Sequence, residues 1–169
     1  MMSARGASVP DMSDQDVIVR RARAEDIPGL VASSAGLFAE DGGTRDPAIN
    51  VDWPREHGAQ SFAAAIEDPA RLVLVVDHGG QVVGHLMGSV TGPTDKRRIT
   101  SATLISMYVS PAHRRARAGA RLMGEFLAWA KGAGAEQAEV TAYSANTDAI
   151  RFYERSGFGP QLLTLRRTL

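Results

Sequence analysis

Between an apolar run and an amphipathic one lies the stretch Val109-Ser110-Pro111-Ala112-His113-Arg114-Arg115-Ala116-Arg117-Ala118-Gly119-Ala120-Arg121-Leu122. It reads as the turn from a strand into a helix. The first amides of a helix lack intrahelical partners, and with the helix dipole they form a seat for phosphate. Arg114, Arg115, Arg117 and Arg121 stand at that end, where the dipole favours acids over cations. Lys96, Arg97 and Arg98 precede them, and no Asp or Glu occurs from Lys96 to Gly124. Such a patch points to an anionic guest, the alternative being a plain arginine-rich surface. Neither Gly-x-x-x-x-Gly-Lys-Ser/Thr nor Gly-x-Gly-x-x-Gly is present, so P-loop and dinucleotide-fold chemistry are not indicated.

A second constellation follows: Asn146-Thr147-Asp148-Ala149-Ile150-Arg151-Phe152-Tyr153-Glu154-Arg155-Ser156-Gly157-Phe158. Asn146 is placed to cap a helix. Phe152 and Phe158 suit a core, while Tyr153 is either a half-buried aromatic or a proton donor. With 0 cysteines there is no thiol nucleophile, disulfide or thiolate ligand. His57, His78, His85 and His113 are dispersed without ligand spacing, so no metal is expected.

The elements that must position these residues follow from periodicity. Val17–Ala22 is extended, and Ile27, Leu30, Val31, Leu37 and Phe38 mark one face of a first helix. The chain from Glu40 to Asn50 reads as irregular and acidic. A second helix starts near Trp53-Pro54 and stops at Asp68-Pro69. Leu72–Val76 and Gln81–Ser89 form a hairpin around Asp77-His78-Gly79-Gly80. Thr103–Val109 is a strand, Ala118–Lys131 a helix, Glu139–Tyr143 a strand, Thr147–Arg155 a helix and Leu162–Thr168 a closing strand. The order β-α-α-β-β-β-α-β-α-β requires an α/β (α+β) domain with a mixed, mostly antiparallel sheet flanked by helices.

Composition agrees with one such domain over residues 17–169, behind a loosely ordered tail over 1–16. The chain is 44% hydrophobic and 22% charged with net charge +0, which disfavours a dedicated nucleic-acid binder. No apolar run is long enough to span a membrane, and the N-terminus lacks the apolar stretch of a secretory signal. A cytoplasmic protein is expected.

The two constellations resemble those of the GCN5-related N-acetyltransferases (GNAT). In that family a strand ending in Val-x-Pro leads to Arg/Gln-x-x-Gly-x-Gly/Ala and a helix. Here Val109 and Pro111 are followed by Arg114 at the opening position and Gly119 at the closing one, with Arg117 where the middle glycine usually stands. Asn146 to Phe158 resembles the family's Asn-x-x-Ala-x-x-Phe-Tyr-x-x-x-Gly-Phe. The resemblance implies a GNAT-like fold whose strand Leu104–Val109 splays from its neighbour after Tyr143.

It also implies that acetyl-CoA (or CoA) is held in that slot. Met107, Tyr108 and Val109 would line the pantetheine, with the amides of Met107 and Val109 as donors. Arg114, Arg115, Ala116, Arg117, Ala118, Gly119 and Ala120 would seat the pyrophosphate, and Asn146, Ala149 and Phe152 would flank the other side. Tyr153 would be catalytic, donating to the departing sulfur. The implied reaction is direct acetyl transfer to a primary amine, since no cysteine can carry the acyl group. The alternative is a degenerate acetyl-CoA-binding sensor.

Thr103–Val109 holds no carboxylate base. Candidates are a water held by Ser106 and Tyr108, an acid among Glu40, Asp41, Asp46 and Asp52, or His85. Those acids either line the site of a cationic acceptor or form an ordinary solvated loop. The acceptor is a small molecule or a peptide amine, no nucleic-acid or membrane partner is expected, and Leu162–Leu169 could pair across a homodimer.

Overall fold

Leu72–Val76 is apolar at every position, as a strand covered on both faces must be. In the computed structural model, which describes residues 17–169, all five of these residues are buried. The expected tail over 1–16 lies outside the described residues. The strand β2 (Arg71–His78) turns into β3 (Gln81–Thr91) through Gly79 and Gly80, both at positive φ (59° and 84°). That is the two-glycine geometry whose twist suits a hairpin. Antiparallel β1 (Val17–Arg21) flanks β2, antiparallel β4 (Ser101–Val109) flanks β3, and β5 (Gln137–Val140) runs parallel beside β4.

Alternation along β2 divides the core in two. Leu72, Leu74 and Val76 join Val17, Leu86, Leu104, Leu122 and Phe126 on one face. That face is covered by α4 (Ala118–Gly132) and flanked by α5 (Thr147–Arg155). Val73 and Val75 meet Leu30 and Phe62 on the other face, under α1 (Ile27–Leu37) and α3 (Trp53–Glu67). The result is the mixed, helix-flanked α+β sheet that the element order requires.

Three expectations at element ends are corrected. After Leu37 the chain becomes irregular only from Asp46, not from Glu40. It continues as a π-helical turn over Phe38–Gly42 and the short α2 (Gly43–Arg45). Thr44 Oγ1 donates to the Glu40 carbonyl at 2.8 Å, and Arg45 pairs with Asp41 one turn earlier. β5 ends at Val140 rather than Tyr143. The closing strand Leu162–Thr168 does not form, and 159–169 lacks regular structure. Strand propensity needs an edge to pair with, and this segment is bonded to none among the described residues.

One irregularity decides which side chains face which layer. Met87 pairs with Ser106 and Gly88 with Leu104, so Ile105 is an extra residue in β4. Ala102 and Leu104 face α4 before the bulge, and Met107 and Val109 do so after it. Ser106 and Tyr108 are thereby turned toward α1. Beyond the bulge β3 approaches closely: a Cβ on Gly84 would lie 2.7 Å from the Tyr108 carbonyl oxygen and 3.2 Å from Val109 Cα. Gly84→Ala must therefore push the two strands apart. A loss of about 1–3 kcal/mol is expected in urea unfolding, with the midpoint falling at unchanged slope.

Candidate active site

The pairing of β4 with β5 runs from Ser101–Gln137 to Leu104–Val140 and stops there. The strands separate as expected, but at Val140 instead of after Tyr143. From Ile105 to Val109 the β5 side of β4 has no strand partner among the described residues. Alternation tells which peptides face that opening. Ser110 donates to the Val83 carbonyl at 2.9 Å, so Ser110 and Tyr108 turn their peptide groups to β3. Met107 and Val109 turn theirs the opposite way, into the slot.

α5 forms the other wall. Asn146 Oδ1 accepts the Ala149 amide at 3.2 Å, the cap its position suggested, and its Nδ2 donates to Asp41 Oδ1 at 2.8 Å. Tyr153 is half-buried between the rings of Phe152 and Phe158, at 5.6 and 6.0 Å. Its hydroxyl makes no hydrogen bond among the described residues. Burial, then the charge of Asp41, pushes its pKa up to about 12. Met107, Phe152 and Tyr153 pack against one cluster, and Phe152 also lies over Gly119, 3.5 Å from where a Cβ would stand. The structure thus gathers the strand, the turn and α5 around one slot.

The turn itself is a 3₁₀ segment over Pro111–Ala116, closed by Arg117 at φ 53°, ψ 15° before α4 begins. Arg117 is the only non-glycine at positive φ among the described residues. Its neighbours Ala116, Ala118 and Gly119 are half-buried or buried, while Arg115, Arg117 and Ala120 are exposed. His113 braces the turn, sharing hydrogen bonds with Ser110 Oγ at 2.8 Å and His78 Nδ1 at 3.0 Å. Spacing alone had shown no link between these two histidines.

The sequence matches the acetyltransferase (GNAT) family over residues 40–158, which spans the slot, the turn and α5. The chain belongs to this family. An uncharacterised N-acetyltransferase of Mycobacterium tuberculosis is 34% identical over 97 residues, which are 57% of this chain and 58% of that protein. The chain therefore matches less than two thirds of that relative's length. Solved structures share the fold at low identity. An acetyltransferase structure with acetyl-CoA from Clostridium acetobutylicum has TM-score 0.70 and 17% identity, covering 90% of this chain and 96% of that one. An aminoglycoside acetyltransferase from an uncultured soil metagenomic sample, in complex with sisomicin, has TM-score 0.68 and 17% identity, covering 92% and 98%.

At the position where the GNAT pattern usually has glycine, Arg117 is in the left-handed region that glycine favours. A side chain in this left-handed region costs about 1 kcal/mol. The arginines also differ from the uncompensated patch expected. Arg114 folds back: its Nε donates to the Val109 carbonyl at 2.9 Å and its terminal nitrogen reaches both Glu40 oxygens at 2.6 and 2.7 Å. The guanidinium lies 5.6 Å from the centre of the Tyr108 ring. Arg121 donates to the Val17 carbonyl at 2.6 Å, and Arg97 pairs with Glu139 at 3.1 Å. Their partners are distant in sequence, so a local charge count could not see them. Arg115 and Arg117 make no ion pair among the described residues.

The acids of Glu40–Asp52 are likewise matched within the chain. Glu40 pairs with Arg114, Asp41 with Arg45 at 2.8 Å, Asp46 with Arg166 at 3.0 Å and Asp52 with Arg55 at 3.5 Å. Within these pairs Glu40 and Asp52 stay substantially exposed, while Asp46 is buried. Burial, then the charge of Glu40, raises the pKa of Tyr108, which packs against Gly36 of α1. His85 is 0% exposed, linked to Ser33 Oγ through Nδ1 at 2.8 Å and to Ser106 Oγ through Nε2 at 3.2 Å. Burial lowers its pKa to about 4, so at neutral pH the ring is neutral and orients Ser106.

Two outcomes follow from these positions. Arg117→Gly is expected to relieve the left-handed strain and raise the melting temperature by about 2–4 °C. For His85 the folded pKa of about 4 lies below the unfolded value of about 6.5, so the unfolded chain takes up the proton first. Stability is then complete above about pH 6.5 and falls as pH drops toward about 4, by roughly 3 kcal/mol from this residue. Denaturant titrations across that window should show the slope in the wild type and a flatter profile in His85→Gln.

Proposed function

We propose that residues 17–169 form an N-acetyltransferase domain that moves an acetyl group from acetyl-CoA to a primary amine by direct attack in a ternary complex. The observation that carries this reading is the slot itself. Peptide groups of Met107 and Val109 face it from β4, and the hydroxyl of Tyr153, without a hydrogen bond among the described residues, lies on the α5 side. Donors without partners fit the pantetheine and thioester of acetyl-CoA, which supplies the activated acetyl group. The amides from Arg114 to Ala120 and the guanidinium groups of Arg115 and Arg117, unpaired among the described residues, suit its phosphates. Ala149, under the Asn146 cap, supports the far wall.

The chemistry asked of the chain is limited. The amide of Met107 or Val109 polarises the acetyl carbonyl, which favours charge developing on its oxygen. The amine nitrogen bonds to the acetyl carbon as the carbon–sulfur bond breaks. Tyr153, held protonated by its raised pKa, gives its proton to the leaving sulfur. The proton lost by the amine passes to water held by Ser106 and Tyr108, which the β4 bulge turns to the same side. His85 is a poor base at its lowered pKa and serves to fix the Ser106 hydroxyl.

The acceptor follows from the α1 side of the slot. Glu40 and Asp41 border it but are already ion-paired, so a cationic acceptor must displace Arg114 or Arg45 to use them. A small amine or a peptide amine with modest positive charge suits this arrangement better than a polycation. The sensor reading draws on one feature, Arg114 folded onto Glu40 and not extended over the turn.

Tyr153→Phe separates these readings. Turnover with an amine panel is expected to fall by about 10²-fold or more, while calorimetry shows acetyl-CoA binding little changed. Binding without transfer by the wild type would favour the sensor. Absence of acetyl-CoA binding would overturn both.

A further inference from the structure

Arg114 leaves the turn before α4 and lies back across the end of the slot. Its Nε donates to the Val109 carbonyl at 2.9 Å, and one terminal nitrogen reaches both Glu40 oxygens at 2.6 and 2.7 Å. The amide and carbonyl of an extended residue point to the same side. The guanidinium therefore stands beside the Val109 amide that faces the slot. The centre of the Tyr108 ring is 5.6 Å away. A carboxylate, a carbonyl and an aromatic face, each favourable to a positive charge, thus converge on one point.

The surroundings of this point are fixed by other contacts. Tyr108 packs against α1 so closely that a Cβ on Gly36 would lie 2.9 Å from its Cε1 atom. Glu40 belongs to the π-helical turn Phe38–Gly42, whose next residue, Asp41, is bonded to both Arg45 and Asn146 at 2.8 Å. The occupant is held less firmly. The side chains of Arg114 and Glu40 are 45 and 46% exposed, and an ion pair so open to water contributes little. A pyrophosphate on the amides of the turn offers the same guanidinium a bidentate partner of higher charge. When Arg114 turns to it, Glu40 loses its cation.

We propose that Glu40, Tyr108 and the Val109 carbonyl form a cation seat in which Arg114 is an internal occupant. Arg114 exchanges between this seat and the cofactor's pyrophosphate, so the seat opens to a cationic group of the acceptor only when the cofactor is bound. The proposal rests on the acetyl-transfer reading for the identity of both guests. The acceptor class is then a primary amine carrying one further cationic group, which stays charged while the other nitrogen attacks. One seat takes one such group, because Asp41 remains bonded within the chain. A cation in the seat in turn frees Arg114 for phosphate, and by linkage the two affinities rise by the same factor.

Calorimetry on the full chain tests both halves of the exchange. Glu40→Gln should bind CoA and inorganic pyrophosphate about fivefold more tightly than the wild type. Pantetheine, which carries no phosphate, should bind both proteins equally. On an Arg114→Gln background, Glu40→Gln should bring no gain. Putrescine should bind the wild type about fivefold more tightly with CoA than without it, butylamine should show no difference, and Glu40→Gln should abolish the effect. Unchanged or weaker CoA binding in Glu40→Gln, a gain that persists without Arg114, or putrescine binding indifferent to CoA would each overturn the proposal. A chain that shows these binding effects yet acetylates no amine would instead overturn acetyl transfer and leave the exchange in place.

Discussion

Four parallel residue pairs, Ser101–Gln137 to Leu104–Val140, hold β5 to the sheet, and the candidate chemistry lies where they stop. A strand released from its neighbour inside a sheet leaves peptide groups that must find another partner or water. The bulge at Ile105 falls at the same place and resets the alternation of β4. One extra residue therefore directs Met107 and Val109 toward α4 and the slot, and Ser106 and Tyr108 toward α1. The bulge thus sorts the two faces of β4 at the point where β5 leaves it.

The π-helical turn Phe38–Gly42 spans this opening. Glu40 holds Arg114 of the turn before α4, and Asp41 holds Asn146 at the start of α5. Adjacent acids thus tie the two walls of the slot together. A wider helical turn of this kind re-aims successive side chains, which a regular turn would send to different faces. After burial, the charge of Asp41 also helps keep Tyr153 protonated, so an acid that sets geometry weakens the phenol as an acid as well.

Much of this could be read from residue types. The hairpin over Gly79-Gly80, the helix Thr147–Arg155 and the Asn146 cap follow from local chemistry, and the structure places them as read. The basic turn was visible as a charge anomaly at a helix start, and the family pattern around it was legible despite Arg117. What stayed hidden were contacts across long sequence separations: Glu40 with Arg114, His78 with His113, and Ser33 with His85 and Ser106. A charge count over Lys96–Gly124 sees cations but not the acid that the π-helical turn after α1 delivers from far upstream.

Periodicity and local residue types by themselves determined the element types, the hairpin and the arginine-rich strand–turn–helix, and the resemblance of two motifs to known ones indicated the kinship with acetyltransferases. These depend on interactions within a few residues, which the chain order states directly. Tertiary structure decided where β5 parts from β4, which face Ser106 and Tyr108 occupy, which arginines remain available, and that Leu162–Thr168 has the composition of a strand without being one. Each of these depends on a neighbour brought from elsewhere in the chain. Strand pairing and ion pairing are formed between segments, and a single segment does not specify its partner.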